Sequence, residues 1–313
     1  MRHSIIVSVA AVIIALCSVY GAYAAPTAEQ LNLSRAFKLA AAAAPEQLRQ
    51  AVKEGVNFKV EKHLMFDEND DLVLLGDEED EFDVFDSATP LHIAASRNPN
   101  PESIRYLLSL GLDVNAEAAA GNSVQETPLT CAIRNKNNIQ VINELLNAGA
   151  DPDAWNSGDN YSAFHFVAAE CRNYSYAKAV IDALIKAGGD INSHYRFSRE
   201  EEKELREYEE PSGFHVKWSK DNPFGDAIYT LARVTRGNFL SSFTPLMYAV
   251  LHNNPDVVSI MLDAGADPRI KSLEGKTALD YALTLPKSSS LRKSSAFTRL
   301  QRMTRQKKSP PAR

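Results

Sequence analysis

One seven-residue pattern occurs four times along this chain, and its copies begin at Thr89, Thr127, Ser162 and Thr244. The first residue is Thr or Ser, the third is Leu or Phe, and further apolar residues follow. After each copy comes a second apolar run that ends in Gly, with its apolar residues spaced as on one face of a helix. Gly is the usual residue in the left-handed turn that ends a helix. The chain is therefore predicted to consist of repeated helix pairs.

The copies are similar to the motif of a known repeat family. Thr89–Ala94 is Thr-Pro-Leu-His-Ile-Ala, and both Gly149–Pro152 and Gly265–Pro268 are Gly-Ala-Asp-Pro. With a fifth start at Thr277, successive copies are 38, 35, 82 and 33 residues apart, and the family period is about 33. The chain thus resembles ankyrin-repeat proteins. The resemblance implies an all-α solenoid of stacked helix-turn-helix units with two long insertions.

The repeat starts divide the chain into segments. Residues 26–60 are predicted to form an N-terminal capping repeat, residues 88–193 three repeats, and residues 243–303 a further repeat with a C-terminal cap. Two insertions, 61–87 and 194–242, separate these parts. Capping repeats are expected because the ends of a solenoid need a polar outer face.

Residues 1–25 have the three parts of a secretory signal peptide. Arg2 supplies a positive charge, Ile5–Leu16 has no ionisable group, and Ala22–Ala24 is a small-x-small site. We expect cleavage near Ala24 and a product that is periplasmic or secreted. An uncleaved membrane anchor and a lipoprotein attached at Cys17 are the alternatives. The apolar run is short for a span of about 20 residues, and the residue before a lipoprotein Cys is normally smaller than Leu.

The first insertion is acidic, with eleven carboxylates between Asp67 and Asp86. The spacing of an EF-hand calcium loop is absent from it. We interpret this insertion as a solvated loop in which Leu72–Leu75 adds a strand to the solenoid. An acidic finger that binds a partner is the alternative.

The second insertion accounts for the longest step between repeats, and it exceeds one repeat by about 49 residues. It contains no Thr-Pro-Leu motif and no second helix ending in Gly. We therefore predict a finger loop that projects from one side of the stack, rather than a degenerate repeat. Insertions of this length in compact domains are often functional.

The C-terminal end reverses the charge of the chain. From Lys287 to Arg313 there are nine Lys or Arg residues and no Asp or Glu. A second helix of the cap is predicted near Ala296–Met303, and the rest is interpreted as a flexible basic tail, of which residues 304–313 lie beyond the cap. Three roles are open for the tail: weak contact with anionic lipid head groups, at about 1 kcal/mol per basic residue, contact with the acidic insertion, or none.

No motif for catalysis, phosphate binding or metal coordination is found in the sequence. The net charge of −6 argues against nucleic-acid binding by bulk electrostatics. We therefore predict a non-enzymatic monomer that needs no cofactor and no metal. Cys131 and Cys171 are predicted to be free, because an offset of five helical positions already separates them by about 7.5 Å along the helix axis.

The ankyrin resemblance places partner binding on the concave face and at the turn tips. The candidate partner-binding residues carried over are Arg97, Arg134, Asn135, Glu170 and His252 at first-helix ends, and Glu117, Trp155, Asn156 and Lys271 at turn tips. Trp155 is interpreted either as an interface anchor or as a residue that packs against Tyr161 or Tyr195. The resemblance also implies that His92 and His165 are structural, each bonding back to the Thr or Ser that starts its helix.

The sequence thus predicts a protein–protein interaction module that acts outside the cytoplasm. Three kinds of function fit this prediction: a general scaffold or a helper of another enzyme, an immunity protein that neutralises a periplasmic toxin, and a secreted effector that binds a host protein. The sequence does not select among them.

Overall fold

A computed structural model of the chain describes residues 28–60, 62–66, 72–74, 85–120, 124–155, 161–194 and 242–306. The predicted signal peptide, Cys17, Asn156, the end of the basic tail and nearly all of the second insertion lie outside these residues. Among the helices of the described part, none combines the length and the apolar character that a membrane span needs.

The described residues form twelve α-helices, which pair into six repeats. They are α1 (Ala28–Ala42) with α2 (Pro45–Lys53), α3 (Pro90–Arg97) with α4 (Pro101–Ser109), α5 (Pro128–Arg134) with α6 (Ile139–Asn147), α7 (Ala163–Glu170) with α8 (Tyr174–Lys186), α9 (Pro245–Leu251) with α10 (Pro255–Asp263), and α11 (Ala278–Thr284) with α12 (Ser295–Arg305). A 3₁₀-helix at Leu291–Lys293 precedes α12.

The six pairs stack into two layers. The first helices pack side by side in the order α1, α3, α5, α7, α9, α11, and the second helices pack in the order α2, α4, α6, α8, α10, α12. One hydrophobic core runs through the whole stack, from Ala36 in α1 to Leu300 in α12. The predicted all-α solenoid of helix pairs is confirmed.

The first helices begin where the repeated motif begins, and for the expected reason. Thr89 is the N-cap of α3, with extended backbone, and Pro90 fills the first helical position, where no N–H bond is lost. The Thr89 N–H donates to His92 Nδ1 (3.2 Å), which also contacts Thr89 Oγ1 at 2.8 Å. His165 makes the same pair of contacts with Ser162. The structural role predicted for both histidines is confirmed.

Buried asparagines tie the second, third and fifth repeats to the preceding one. Asn98 donates from Nδ2 to the carbonyls of Ala40 (3.1 Å) and Ala43 (3.0 Å) in the first repeat. Asn137 and Asn254 donate in the same way to the repeats before them. Because a buried carbonyl without a partner is costly, these bonds complete the interface between repeats.

The second insertion leaves the stack uninterrupted, since α7 packs directly against α9. Ser193 Oγ lies 3.1 Å from Ser162 Oγ, and His165 Nε2 lies 2.9 Å from the Phe243 carbonyl oxygen. Ser162 and His165 are one helical turn apart, so the chain leaves and returns at the same end of α7. This placement fits a loop that projects from one edge, although the loop itself lies outside the described residues.

Within the described part of the chain, five short strands lie in the loops between repeats. The first insertion contains β1 (Lys62–Phe66), β2 (Leu72–Leu74) and β3 (Phe85–Ala88), which form an antiparallel sheet in the order β2-β1-β3. The strand predicted at Leu72–Leu75 is thus confirmed, and it contacts α1. A hairpin of β4 (Ala118–Ala120) and β5 (Val124–Glu126), which was not predicted from the sequence, precedes α5.

The cap helix predicted near Ala296–Met303 is present as α12, whereas the rest of the basic stretch after Lys287, interpreted as a flexible tail, is folded in part. The chain is folded as far as Gln306, and α12 is two residues longer at its C-terminal end than predicted. Ala296, Phe297 and Leu300 of α12 are buried, and Arg292 donates to the carbonyls of Leu283 and Leu285. The apolar residues between the basic ones therefore anchor the segment to the stack. Residues 307–313 lie outside the described part.

Substituting Lys136 with Gly should stabilise the fold. Lys136 lies in the turn between α5 and α6 with φ 55°, a left-handed conformation that costs a side-chain-bearing residue about 1 kcal/mol. We expect Lys136→Gly to raise the free energy of unfolding in urea by about 1 kcal/mol. Asn253→Gly, at φ 52°, is the matched control. It also removes the 2.8 Å bond that Asn253 Oδ1 accepts from the Leu291 N–H, so it should not stabilise. If Lys136→Gly unfolds at the same urea concentration as the original chain, the backbone of Lys136 is not strained.

Candidate protein-binding surface

Four of the predicted site residues form a row across the first helices. Arg97, Asn135, Glu170 and His252 each lie eight residues after the start of their repeat motif. Because α3, α5, α7 and α9 pack side by side, these positions follow one another across the stack. Arg97, Asn135 and Glu170 are exposed, and His252 is half-buried. We call these four residues the first-helix row.

The first-helix row carries both signs of charge. His252 is neutral at pH 7, because burial and then the nearby Arg172 lower the pKa of its imidazole to about 4. Arg97 is cationic and Glu170 is anionic. The row therefore runs from a cation, through an amide and a carboxylate, to a neutral imidazole. Such a mixed polar surface suits recognition of a protein better than capture of a highly charged polymer.

Arg134 also has a structural role inside the fold, which was not predicted from the sequence. Its Nη1 lies 2.8 Å from Oε1 of Glu126, a carboxylate that is only 1% exposed. The Cys131 thiol donates to the other oxygen, Oε2, at 3.2 Å. Arg134 thus neutralises a charge held inside the fold, while its own side chain is 34% exposed.

A signal for Glu126 was present in the sequence. The residue directly before the repeat motif is Ala88, Tyr161 or Phe243 in three other repeats, and it is Glu126 in the third. The sixth repeat also has a charge there, the exposed Lys276, but a carboxylate at a position that is apolar in these three repeats indicates a charge that needs a partner if it is buried. The +7 position of the same repeat, where the others have Ser96, Ala169 and Leu251, holds that partner.

The turn tips are tied to their neighbours along the stack. Asn115 Oδ1 accepts the Asp151 N–H (2.8 Å), Asp153 accepts the Asp190 N–H (2.9 Å), and Asn192 Oδ1 accepts the Asp267 N–H (2.7 Å). Burial raises the pKa of Asp153. These bonds link consecutive tips into one edge. Glu117 and Lys271, both predicted as tip residues, are exposed along it.

Trp155 is half-buried and packs against a histidine; Tyr195, one of the two tyrosines considered from the sequence, lies outside the described residues. Its ring centroid lies 5.4 Å from that of His165. Tyr161 stacks on the same imidazole at 5.9 Å and meets Tyr248 edge-on at 4.9 Å. We call Trp155, Tyr161, His165, Phe166 and Tyr248 the aromatic cluster. Trp155 has one face in this cluster and is still partly accessible, so its role as an interface anchor stays a prediction.

The described residues offer binding groups rather than a reactive constellation. Ser162 and His165 lie within bonding distance, as a nucleophile and its base would, but both are buried and the imidazole's other nitrogen contacts the Phe243 carbonyl. Cys131 and Cys171 are free and buried, and burial raises the pKa of the Cys171 thiol to about 11. Both thiols are therefore protonated at neutral pH. Among the described residues, no three His, Cys, Asp or Glu side chains are grouped as a metal site would need.

Family models of ankyrin repeats match residues 48–156 and residues 236–282. The repeat motif, the stacked helix pairs and these matches agree, and the chain belongs to the ankyrin-repeat proteins. Ankyrin repeats are protein–protein interaction modules and are generally non-enzymatic scaffolds. The fourth repeat, α7 with α8, falls between the two matched segments and is recognised from its motif and its packing.

Several known proteins are similar to this chain over part of their length. A mitochondrial disaggregase of Homo sapiens is 32% identical over 190 residues, which cover 61% of this chain and 24% of that protein. The B-cell lymphoma 3 protein homolog of Mus musculus is 28% identical over 201 residues, 63% of this chain and 41% of the relative. A putative palmitoyltransferase ZDHHC13 of Danio rerio is 27% identical over 203 residues, 63% of this chain and 27% of the relative. The chain spans well under half the length of these relatives.

Removing the Arg134 side chain should destabilise the fold strongly. Arg134→Ala leaves the buried Glu126 carboxylate without its cation, which costs about 3 kcal/mol. We expect that loss in urea unfolding at pH 7. The double variant Arg134→Ala, Glu126→Ala should recover most of it, since the second repeat has Ala88 at the same position. A loss below about 1 kcal/mol for the single variant would show that the pair is not structural.

Acid should destabilise the fold through His165. Burial lowers the pKa of its imidazole to about 4, whereas the pKa in the unfolded chain is about 6.5. The stability that neutral His165 contributes is therefore complete above about pH 6.5 and is lost as the pH falls towards 4. We expect about 2 kcal/mol less unfolding free energy at pH 5 than at pH 7.5 from this group.

The control for this pH dependence is His165→Thr. Thr130 already caps α5 from the equivalent position, with its Oγ1 accepting the Thr127 N–H at 2.9 Å. The variant keeps the cap without a titrating group, so its unfolding free energy should change less between pH 7.5 and pH 5. If the variant and the original chain respond equally to acid, His165 is not the titrating group.

Proposed function

We propose that this protein is a non-enzymatic scaffold that binds another protein outside the cytoplasm, through the concave face and the turn tips of its ankyrin stack. The observation that supports this most is the first-helix row. Four repeats present residues of different chemistry at one equivalent position, at the C-terminal ends of first helices that are otherwise almost entirely buried. The side chains at this position differ from repeat to repeat, while the stacked helices that carry them keep the same arrangement. Such a surface suits specific recognition of a folded partner.

The rigidity of the stack supports the same proposal. The turn tips are hydrogen-bonded to one another, and the asparagines and the core join every repeat to the next. Side chains on such a frame lose little additional freedom on binding. Less of the interaction free energy is then spent on ordering the surface, which favours affinity for a partner of matching shape.

The location outside the cytoplasm is proposed from the sequence of residues 1–25 alone. A positive start, the apolar run Ile5–Leu16 and the Ala22–Ala24 site support export followed by cleavage. The intact mass of the protein recovered from cells tests this part. A chain that begins near Ala25 supports it, and a chain that still carries the apolar run contradicts it.

The partner's identity decides among a helper, an immunity protein and a host-directed effector. An affinity pull-down with tagged residues 26–313, from the organism that encodes the chain, identifies partners by mass spectrometry. One stoichiometric partner supports dedicated binding. A toxin, an enzyme or a host protein as that partner selects the kind of function.

Arg97→Glu tests whether the first-helix row makes the contact. Reversing a charge in the row should weaken binding of the recovered partner at least ten-fold, because like charges or unpaired groups then meet at the interface. Lys186→Glu changes the net charge equally on α8, in the other helix layer, and is the matched control. Isothermal titration calorimetry measures both dissociation constants, and thermal unfolding confirms that both variants fold. If the two variants weaken partner binding equally, the first-helix row does not make the contact.

A further inference from the structure

The last layer of the stack is strongly basic. It comprises α11, the 3₁₀-helix and α12, and residues 278–306 contain six Lys or Arg residues and one carboxylate, Asp280. That carboxylate is already engaged, since its Oδ2 accepts the Thr277 N–H (2.8 Å) and hydroxyl (2.7 Å). These hydrogen bonds lower its pKa, so Asp280 is ionised at neutral pH and contributes one negative charge. The layer has a formal charge of +5 from these groups.

Two of the six cations are used by the fold. Arg292 donates to main-chain carbonyls and lies over the Phe297 ring at 5.4 Å, and Arg299 pairs with Asp263 at 2.5 Å. The other four are exposed, and no ion pair joins them to another part of the described chain. These four residues are Lys287, Lys293, Arg302 and Arg305. We call them the basic end.

The basic end belongs to the last of the described helix pairs. Arg302 and Arg305 are one turn apart on α12, away from Ala296, Phe297 and Leu300, which are buried against the stack. In the same layer, Leu283 of α11 is 46% exposed. No further repeat follows α12 within the described residues. Four cations and an apolar side chain thus lie at one end of the molecule.

The acidic insertion of the same molecule does not reach the basic end. The insertion borders the second repeat, and four steps of about 9 Å separate that repeat from the sixth. The longest stretch between its strands is residues 75–84. Ten residues that leave and return extend at most about 17 Å from the sheet, against a distance of about 36 Å. Neutralisation of the basic end by the first insertion is therefore excluded by length.

We propose that the basic end binds the anionic phospholipid head groups of a membrane surface. The four cations belong to three successive segments, the link after α11, the 3₁₀-helix and α12, so they present a spread of charge rather than one binding point. The sequence continues the same charge beyond Gln306 with Lys307, Lys308 and Arg313. A bilayer surface offers continuous negative charge to such a spread, and its interface accommodates an exposed leucine. This proposal does not depend on protein binding by the first-helix row.

Vesicle sedimentation tests the proposal with residues 26–313, which contain every described helix and strand and lack the apolar run near the start. At low ionic strength, the protein should sediment with vesicles of about 30% phosphatidylglycerol in phosphatidylcholine and stay in solution with phosphatidylcholine alone. Binding should weaken steeply when salt is raised to about 0.5 M, because surface charges are then screened.

The triple variant Lys293→Glu, Arg302→Glu, Arg305→Glu should lower the vesicle partition coefficient at least about 100-fold, since each basic residue near an anionic surface contributes roughly five-fold. The control, Lys38→Glu, Lys53→Glu, Lys186→Glu, changes the net charge equally on exposed positions elsewhere. It should retain most of the binding. Circular dichroism confirms that both variants fold.

Two results would overturn the proposal. One is an equal loss of sedimentation in the two triple variants, which would show that vesicle binding depends on the net charge of the protein and not on the basic end. The other is an unmodified protein that stays in solution with phosphatidylglycerol vesicles at low ionic strength, which would leave an acidic protein as the occupant of the basic end. Either result leaves the pull-down and the first-helix row unaffected.

Discussion

The burial of each helix pair against its neighbours is the constraint on which this structure depends. Three of the first helices, α5, α9 and α11, have only seven residues, and isolated helices of that length are not stable in water. Six consecutive residues of α5, Pro128–Ile133, are buried because another helix lies on each side. Every repeat therefore needs its neighbours, and the end repeats need surfaces that tolerate water.

This dependence explains how the chain accommodates long insertions. The interface between α7 and α9 joins residues that are more than seventy positions apart, and the bond from His165 to Phe243 crosses the whole second insertion. The insertion's two ends lie at one end of α7, so the stack loses no contact to it. A solenoid can carry such loops at its edge because its contacts are made between repeats and not across the loop.

Two residues of the third repeat depart from the preferences of their local structure. Glu126 places a charge at a position that is apolar in the second, fourth and fifth repeats, and Arg134, three residues beyond Cys131, compensates for it. Lys136 adopts a left-handed conformation that Gly would adopt without strain. Both features lie in the third repeat, beneath the first-helix row at Asn135. A residue proposed for binding thus lies between two residues that the fold constrains, which limits how freely this part of the surface can vary.

The sequence alone determined the repeats, the helix starts and stops, the capping histidines and the exposed +8 positions, because each of these depends on spacing within one repeat. The predicted strand at Leu72–Leu75 followed from an apolar run of the same local kind. Only the tertiary structure decided which side chains meet across repeats: Arg134 with Glu126, Trp155 with His165, and the basic residues of α12 with the stack. These contacts depend on the positions of neighbouring helices and on burial, which local spacing does not specify. For the same reason, the cap helix near Ala296–Met303 was predicted, but the segment before it was interpreted as part of a tail, whereas the buried Leu291 holds it in the fold.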